Sequence, residues 1–196
     1  MATVNVEMSM SLDGFIADRD GKVGPLFDWY GNGPVKVPAR AGNSVFELSE
    51  ASARHLADDF AAVGAAVAGR RTFDITDGFA DGHPYGVPVF VVTHAEPAGW
   101  RGDPSITIVT DGVESAVRRA CEAAGDKVVT VTAADVARQC LELGLIDVVR
   151  INLVPVLLGD GIRLFDELAG VPIELEDPEV VQGTRVTHLY YRVKRS

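Results

Sequence analysis

Two adjacent arginines, Arg70 and Arg71, follow a short apolar run and open the stretch Gly69-Arg70-Arg71-Thr72-Phe73-Asp74. The pattern reads as a strand end turning into the first turn of a short helix. Backbone amides, a hydroxyl and guanidinium groups gathered there suit a phosphate. The simpler reading is two solvated arginines on a surface turn. Thr93-His94 closes the next apolar run in the same position and can add a hydroxyl and an imidazole to that pocket. A third candidate begins at Thr132, with Asp135 three residues on, the spacing of a capping box. The helix-start amides there would lie beyond a strand's carboxyl end, where a pyrophosphate binds well. A plain helix cap is the competing reading. Asp13 stands beside Gly14, and Asp28 lies in an aromatic loop. Either carboxyl group can supply or relay a proton, while an acid next to glycine is equally turn chemistry.

The elements that must position these groups alternate strand and helix. Val4, Val6 and Met8 alternate with Asn5, Glu7 and Ser9, which predicts a strand over 3–10. Apolar runs predict further strands over 65–68, 87–93, 106–109, 128–131 and 146–158; in the last, Arg150 and Asn152 alternate with Ile151 and Leu153. Helices are expected over 50–63, behind Ser49; over 112–124, behind an Asp111…Glu114 capping pattern; and over 133–143, ended by Gly144. Residues 163–168 suggest one helical turn. The chain closes on strands 173–182 and 184–195, joined at Gln182-Gly183, a hairpin signal. Leu189, Tyr191 and Val193 on one face of the last strand, with Tyr190 on the other, suggest an edge covered by a second copy, hence a homodimer. Asp18 to Asn43 is rich in Gly, Pro and Asp and carries Phe27, Trp29 and Tyr30, which favours a functional loop. The pattern is α/β: a three-layer α/β/α sandwich with a mostly parallel central sheet and a C-terminal antiparallel hairpin. Nothing divides residues 1–196 into more than one domain.

Composition narrows the function. A net charge of −10 and a pI near 4.8 argue against nucleic acid or an anionic membrane as partner. No apolar run approaches the ~20 residues of a membrane span, and the N-terminus lacks the pattern of a secretory signal, so a cytoplasmic protein is expected. Cys121 and Cys140 read as buried free thiols. His55, His83, His94 and His188 are scattered, so no metal is expected. Gly159-Asp160-Gly161 lacks the third glycine of a dinucleotide fingerprint and reads as a tight turn. Hydrolase and kinase motifs are absent from the sequence.

Four motifs in order, MSMSLDGFIA, GRRTF, FVVTH and LIDVVRINLVPVLLGDGIRLF, carry a resemblance to the dihydrofolate reductase-like superfamily. More closely, the chain is similar, from about Val4 to Val193, to the C-terminal reductase domain of the bifunctional riboflavin-biosynthesis deaminase–reductase. The resemblance implies a dimeric α/β/α sandwich that binds NADPH across the carboxyl edge of its sheet. It places Gly69, Arg70, Arg71 and Thr72 along the cofactor's phosphates, with Thr132, Ala133, Ala134 and Asp135 at the pyrophosphate. Thr93 and His94 would face the 2′-phosphate, and Ile16 and Ala17 would line the nicotinamide pocket. Asp13 would act where substrate meets the ring. Asp28 and Trp29 on the aromatic loop, with Val154, Pro155, Leu158, Gly159, Asp160 and Gly161, would complete the substrate side. The implied activity is hydride transfer to a small heterocycle or a carbonyl or imine group, as in 5-amino-6-(5-phosphoribosylamino)uracil reductase. Two positions depart from the family: Thr132-Ala133 stands where members carry a glycine pair, and Asp147-Val148 where they often have Asp-Glu. The first departure keeps open a non-catalytic dimer that binds a nucleotide or flavin-like ligand.

Overall fold

The computed structural model describes residues 2–195. In chain order its strands are β1 (Thr3–Ser11), β2 (Phe15–Ala17), β3 (Val35–Pro38), β4 (Val45–Leu48), β5 (Val63–Gly69) and β6 (Val89–Val92). They continue with β7 (Ile106–Val109), β8 (Val128–Val131), β9 (Val148–Val154), β10 (Ile162–Arg163), β11 (Glu179–Gln182) and β12 (Thr187–Arg192). The α-helices are α1 (Glu50–Ala62), α2 (Arg70–Ile75), α3 (Val113–Ala124) and α4 (Ala134–Glu142).

Eight strands form one sheet in the order β11-β12-β9-β1-β8-β5-β6-β7. From β9 to β7 every pairing is parallel; β12 and β11 add an antiparallel edge. Side-chain alternation sorts the two faces. Val4, Val6, Val67, Val129 and Ile151 join Val117, Ala120, Val136 and Cys140 of α3 and α4 in the main core. On the other face, α1 brings Ala53, Leu56 and Phe60 onto Leu26, Trp29 and Leu48. Phe73 and Phe79 cover Ala66, Ala68, Val89 and Val91. This is the three-layer α/β/α sandwich, and Ser49 does cap α1, accepting a bond from the Ser52 amide.

Several boundaries differ from the sequence reading, each for a local reason. Thr132 does not cap α4. The N-cap is Ala133, with no side-chain bond, because Asp135 is taken by Arg138 and Gln139 one turn on. Asp111 likewise bonds Ser115 and Arg119, leaving Gly112 as the uncapped start of α3. β9 stops at Val154 because Pro155 has no amide to donate. Ile162 and Arg163 pair with Ala17 and Phe15 instead of starting a helical turn. The C-terminal strands are shorter than 173–182 and 184–195, and Gly183 donates to the Val186 carbonyl across a longer turn. β12 is also not the edge strand: β11 covers it, and Leu189, Tyr191 and Val193 pack against the main core.

The loop after β2 folds back over the sheet through a 3-10 turn (Gly24–Tyr30) and the β3–β4 hairpin. Gly33 anchors it, since a Cβ there would collide with the backbone of Leu48 and Ser49. Gly33→Ala should therefore destabilise the fold by about 1–3 kcal/mol in urea unfolding, the usual range for overpacking. An unchanged midpoint would show that the loop is not held at this contact.

Candidate active site

The parallel strands β5, β6 and β8 end together at the carboxyl edge of the sheet. Gly69 is in register with Val92, and Val67 with Val131, so Arg70, Thr93 and Thr132 emerge side by side. A cleft of about 1280 Å³ opens there. Ile16, Ala17, Gly69, Arg70, Arg71, Thr72, Thr93, His94, Thr132, Ala133, Ala134 and Asp135 all line it, so the structure gathers every expected cofactor residue around one cavity.

Local bonds shape this half. Arg70 donates through Nε to both oxygens of Asp74, at 2.8 and 3.0 Å, and leans toward the Ala95 carbonyl. Arg71 reaches across Gly21 to the Arg19 carbonyl at 3.5 Å. The Thr72 hydroxyl donates to the Thr132 carbonyl at 3.3 Å and fixes α2 against the start of α4. No side chain caps the first amides of α4, which leaves them available to an anion. Ala133 has ordinary extended backbone, φ −152° and ψ 132°, so it needs no glycine. A Cβ on residue 69 would lie 3.2 Å from its methyl, so Gly69 leaves room for the alanine.

The other half of the cleft is aromatic. Phe27, Tyr30, Phe46, Phe60, Tyr85, His83 and Phe79 form an arc of neighbouring rings, and all seven line the cavity. Under the arc, the face of β1, β9 and β12 turned to α1 is polar, unlike the apolar face opposite. Registers Glu7↔Arg150, Ser9↔Asn152, Asn152↔His188 and Arg150↔Tyr190 put these side chains on one surface. Arg150 is 7% exposed, ion-pairs with the buried Asp59 of α1 and lies 3.5 Å from Glu7. Its Nη2 donates to the Tyr190 hydroxyl at 2.9 Å, and that hydroxyl bonds Nδ1 of His55. A second chain runs Ser52, His188, Asn152, Glu7, with contacts of 2.9, 2.6 and 3.4 Å. With Asn152 Oδ1 accepting from His188 Nδ1 and Ser52 donating to Nε2, the imidazole is held neutral in one tautomer.

Burial governs the titration of this layer. Desolvation, helped by the Arg150 charge, lowers His55 to about 3. Desolvation and the neighbouring His55 take His188 to about 3. Desolvation lowers His83 to about 4, against the pull of Glu7. Asp59 moves the other way, up to about 7, because burial and the Glu7 charge outweigh Arg150.

The residues expected on the substrate side lie elsewhere. Asp13 accepts from the Ser11 hydroxyl at 2.6 Å and the Gly159 amide at 2.7 Å, and also from the Leu158 amide. These bonds hold it at about 2, the Ser11 bond most of all, so it is a turn-fixing carboxylate and a poor acid. Trp29 is buried and donates to Ser9; Asp28 and Pro155 are exposed. Val154 and Leu158 pack in the α1 cluster. Gly159 bonds Asp13, Asp160 pairs with Arg19, and Gly161 passes so near the Ala17 carbonyl that no Cβ fits. None of these residues lines the cleft. Sequence reasoning missed Glu7, Phe46, Phe60, His83, Tyr85 and Asn152. The available signal was the run of polar residues at alternate positions of β1 and β9.

The RibD C-terminal domain family matches residues 2–189 of the chain. The chain belongs to this family. The uncharacterized protein YwjB of Bacillus subtilis (strain 168) is 24% identical over 161 residues, covering 82% of this chain and 81% of YwjB. The crystal structure of a candidate riboflavin biosynthesis protein from Shewanella sp. PV-4 has a TM-score of 0.70 and 27% identity, with all of both chains covered. Dihydrofolate reductase from Enterococcus faecalis, complexed with NADP(H) and RAB-propyl, superposes with a TM-score of 0.57 at 15% identity, over 98% of this chain and 97% of the enzyme. The chain thus shares the α/β sandwich fold of dihydrofolate reductase. The uncapped start of α4 and the extended backbone of Ala133 leave the cleft open at Thr132-Ala133.

Below pH 6.5 an unfolded chain protonates His55, His83 and His188 while the folded chain keeps them neutral, so stability falls as pH falls. Asp59 opposes this between about 4 and 7, since the folded state holds its proton more tightly. Three imidazoles against one carboxyl should leave a loss of roughly 2–3 kcal/mol per pH unit between about pH 6 and 4.5. Urea unfolding across that range should show this slope, made shallower by His188→Gln; a flat profile would show that the histidines are not held neutral.

Proposed function

We propose that the cleft binds NADPH and that the protein is a reductase acting on a small heterocyclic, carbonyl or imine substrate. The observation that carries this reading is the single cavity joining a phosphate-suited half, with two guanidinium groups and an uncapped helix start, to a half lined by aromatic rings. When bound, NADPH would supply the hydride; positioning is what remains for the protein to do. Arg70, Arg71, Thr72 and the amides of Ala134 and Asp135 would hold the phosphates. Thr93 and His94 would stand at the 2′-phosphate, and Ile16 and Ala17 would place the nicotinamide beside the aromatic arc. The arc excludes water from the acceptor. The whole chain works as one domain in this reading, as a cytoplasmic homodimer. The membership of the RibD C-terminal domain family supports the reductase reading.

A charged hydrogen bond contributes about 1.5–3 kcal/mol, so Arg71→Ala should weaken NADPH binding roughly ten- to a hundred-fold by calorimetry. Thr132→Gly should leave affinity near wild type, because the Thr132 side chain caps nothing. No NADPH binding at millimolar concentration would remove the reductase reading and leave a non-catalytic ligand-binding protein.

A further inference from the structure

The aromatic half of the cleft has one carboxylate in its floor, and its contacts leave that group under-used. Glu7 is 10% exposed at its side chain, yet its partners stand far off: the Tyr85 hydroxyl at 3.3 Å, Asn152 Nδ2 at 3.4 Å and Arg150 Nη1 at 3.5 Å. All three lie at or beyond the long end of a hydrogen bond, and a carboxylate has about four acceptor sites. Its position is nonetheless fixed, since Asn152 is oriented by His188, and His188 by Ser52. Tyr30, Phe46, Phe60 and Tyr85 wall the space above it.

Apart from Arg150 beneath it, the charges around this floor are negative. Asp77 and Asp81 line the cleft as well, and His83 is neutral. Among the described residues that line the cleft, Arg70 and Arg71 are the only guanidinium or ammonium groups, and both stand at the end of β5 beside Thr93 and the Arg19–Gly21 turn. Arg150 lies beneath the floor, ion-paired with Asp59 and 3.5 Å from Glu7, so its charge is already shared by two carboxylates. An anionic substituent on the substrate would meet carboxylates in a low-dielectric space whose one nearby cation, Arg150, is buried and already paired with Glu7 and Asp59.

We propose that the aromatic half takes a flat nitrogen heterocycle, neutral or cationic, whose paired N–H donors lie on the Glu7 carboxylate, and that it takes no phosphorylated substrate. This rests on the reductase reading of the same cleft, and it separates this chain from a reductase of phosphoribosylated pyrimidines. Paired N–H groups on a planar edge match the two oxygens of a carboxylate, and the ring stacks against the tyrosines and phenylalanines.

The test uses two flat bicyclic probes of opposite charge, 2-aminobenzimidazole, a base with paired N–H donors, and indole-2-carboxylate. Their binding to the full chain is measured by calorimetry with and without saturating NADPH. The base should bind at least ten-fold more tightly than the acid in the NADPH-loaded protein. Glu7→Gln should weaken the base roughly ten- to a hundred-fold while NADPH affinity stays at the wild-type value. Equal affinity for acid and base, or a base indifferent to Glu7→Gln, would overturn the proposal. The comparison of probes on the wild type stands even if the variant does not fold. If NADPH does not bind, the reductase reading fails on its own, and the effect of Glu7→Gln on the base still decides the chamber.

Discussion

A guanidinium group buried against a β-sheet needs negative charge beside it, and Arg150 sets that demand at the centre of this fold. Removing an ion from water costs several kcal/mol even in a relaxed protein, and leaving one partner alone costs about 3–5 kcal/mol. Glu7 from β1 and Asp59 from α1 meet the demand, and Tyr190 from β12 satisfies a further donor. These partners come from three elements distant in sequence from β9 and from one another. The pairing thus fixes α1 over the β1–β9–β12 face and holds the C-terminal hairpin in register with the start of the chain. The Nε of Arg150 and one oxygen of Asp59 still have no hydrogen-bond partner. That residual dissatisfaction makes the layer costly, and its place directly under the cleft gives it a use: it holds a carboxylate in an aromatic chamber.

The cleft is divided by charge. Strand ends β5, β6 and β8 present arginines, hydroxyls and helix amides, which suit phosphates. Strand β1 presents Glu7 under a curved wall of rings. One molecule with phosphates at one end, and a second with N–H groups at the other, would meet between these halves, near Ile16 and Ala17. The net charge of −10 makes the arginine pair a local exception, and that contrast orients an anionic ligand.

Much of this was legible in the sequence. Alternation in β1 and apolar runs elsewhere predicted the six parallel strands, and Gly69-Arg70-Arg71-Thr72 with Thr93-His94 marked one side of the cleft. What failed was the assignment of acids. Asp13 beside Gly14 read equally as a proton donor and as turn chemistry, and it serves the turn at Leu158–Gly159. Thr132 and Asp135 had the spacing of a capping box, but Arg138 and Gln139 compete for the carboxylate at helical distance. Glu7 was read as the polar half of an alternating strand. Alternation does not say whether the polar face meets water or a second polar layer, and here α1 supplies that layer through Ser52, His55 and Asp59. The aromatic wall was equally hidden, since Phe46, Phe60 and Tyr85 converge only through tertiary packing.

The most direct measurement is a crystal structure of the protein grown with NADP⁺. Density is expected with phosphates against Arg70, Arg71 and the start of α4, and with the nicotinamide beside Ile16 and Ala17, facing the chamber over Glu7. Cofactor density outside this cleft, or an empty cleft at saturating NADP⁺, would contradict a site built for hydride transfer.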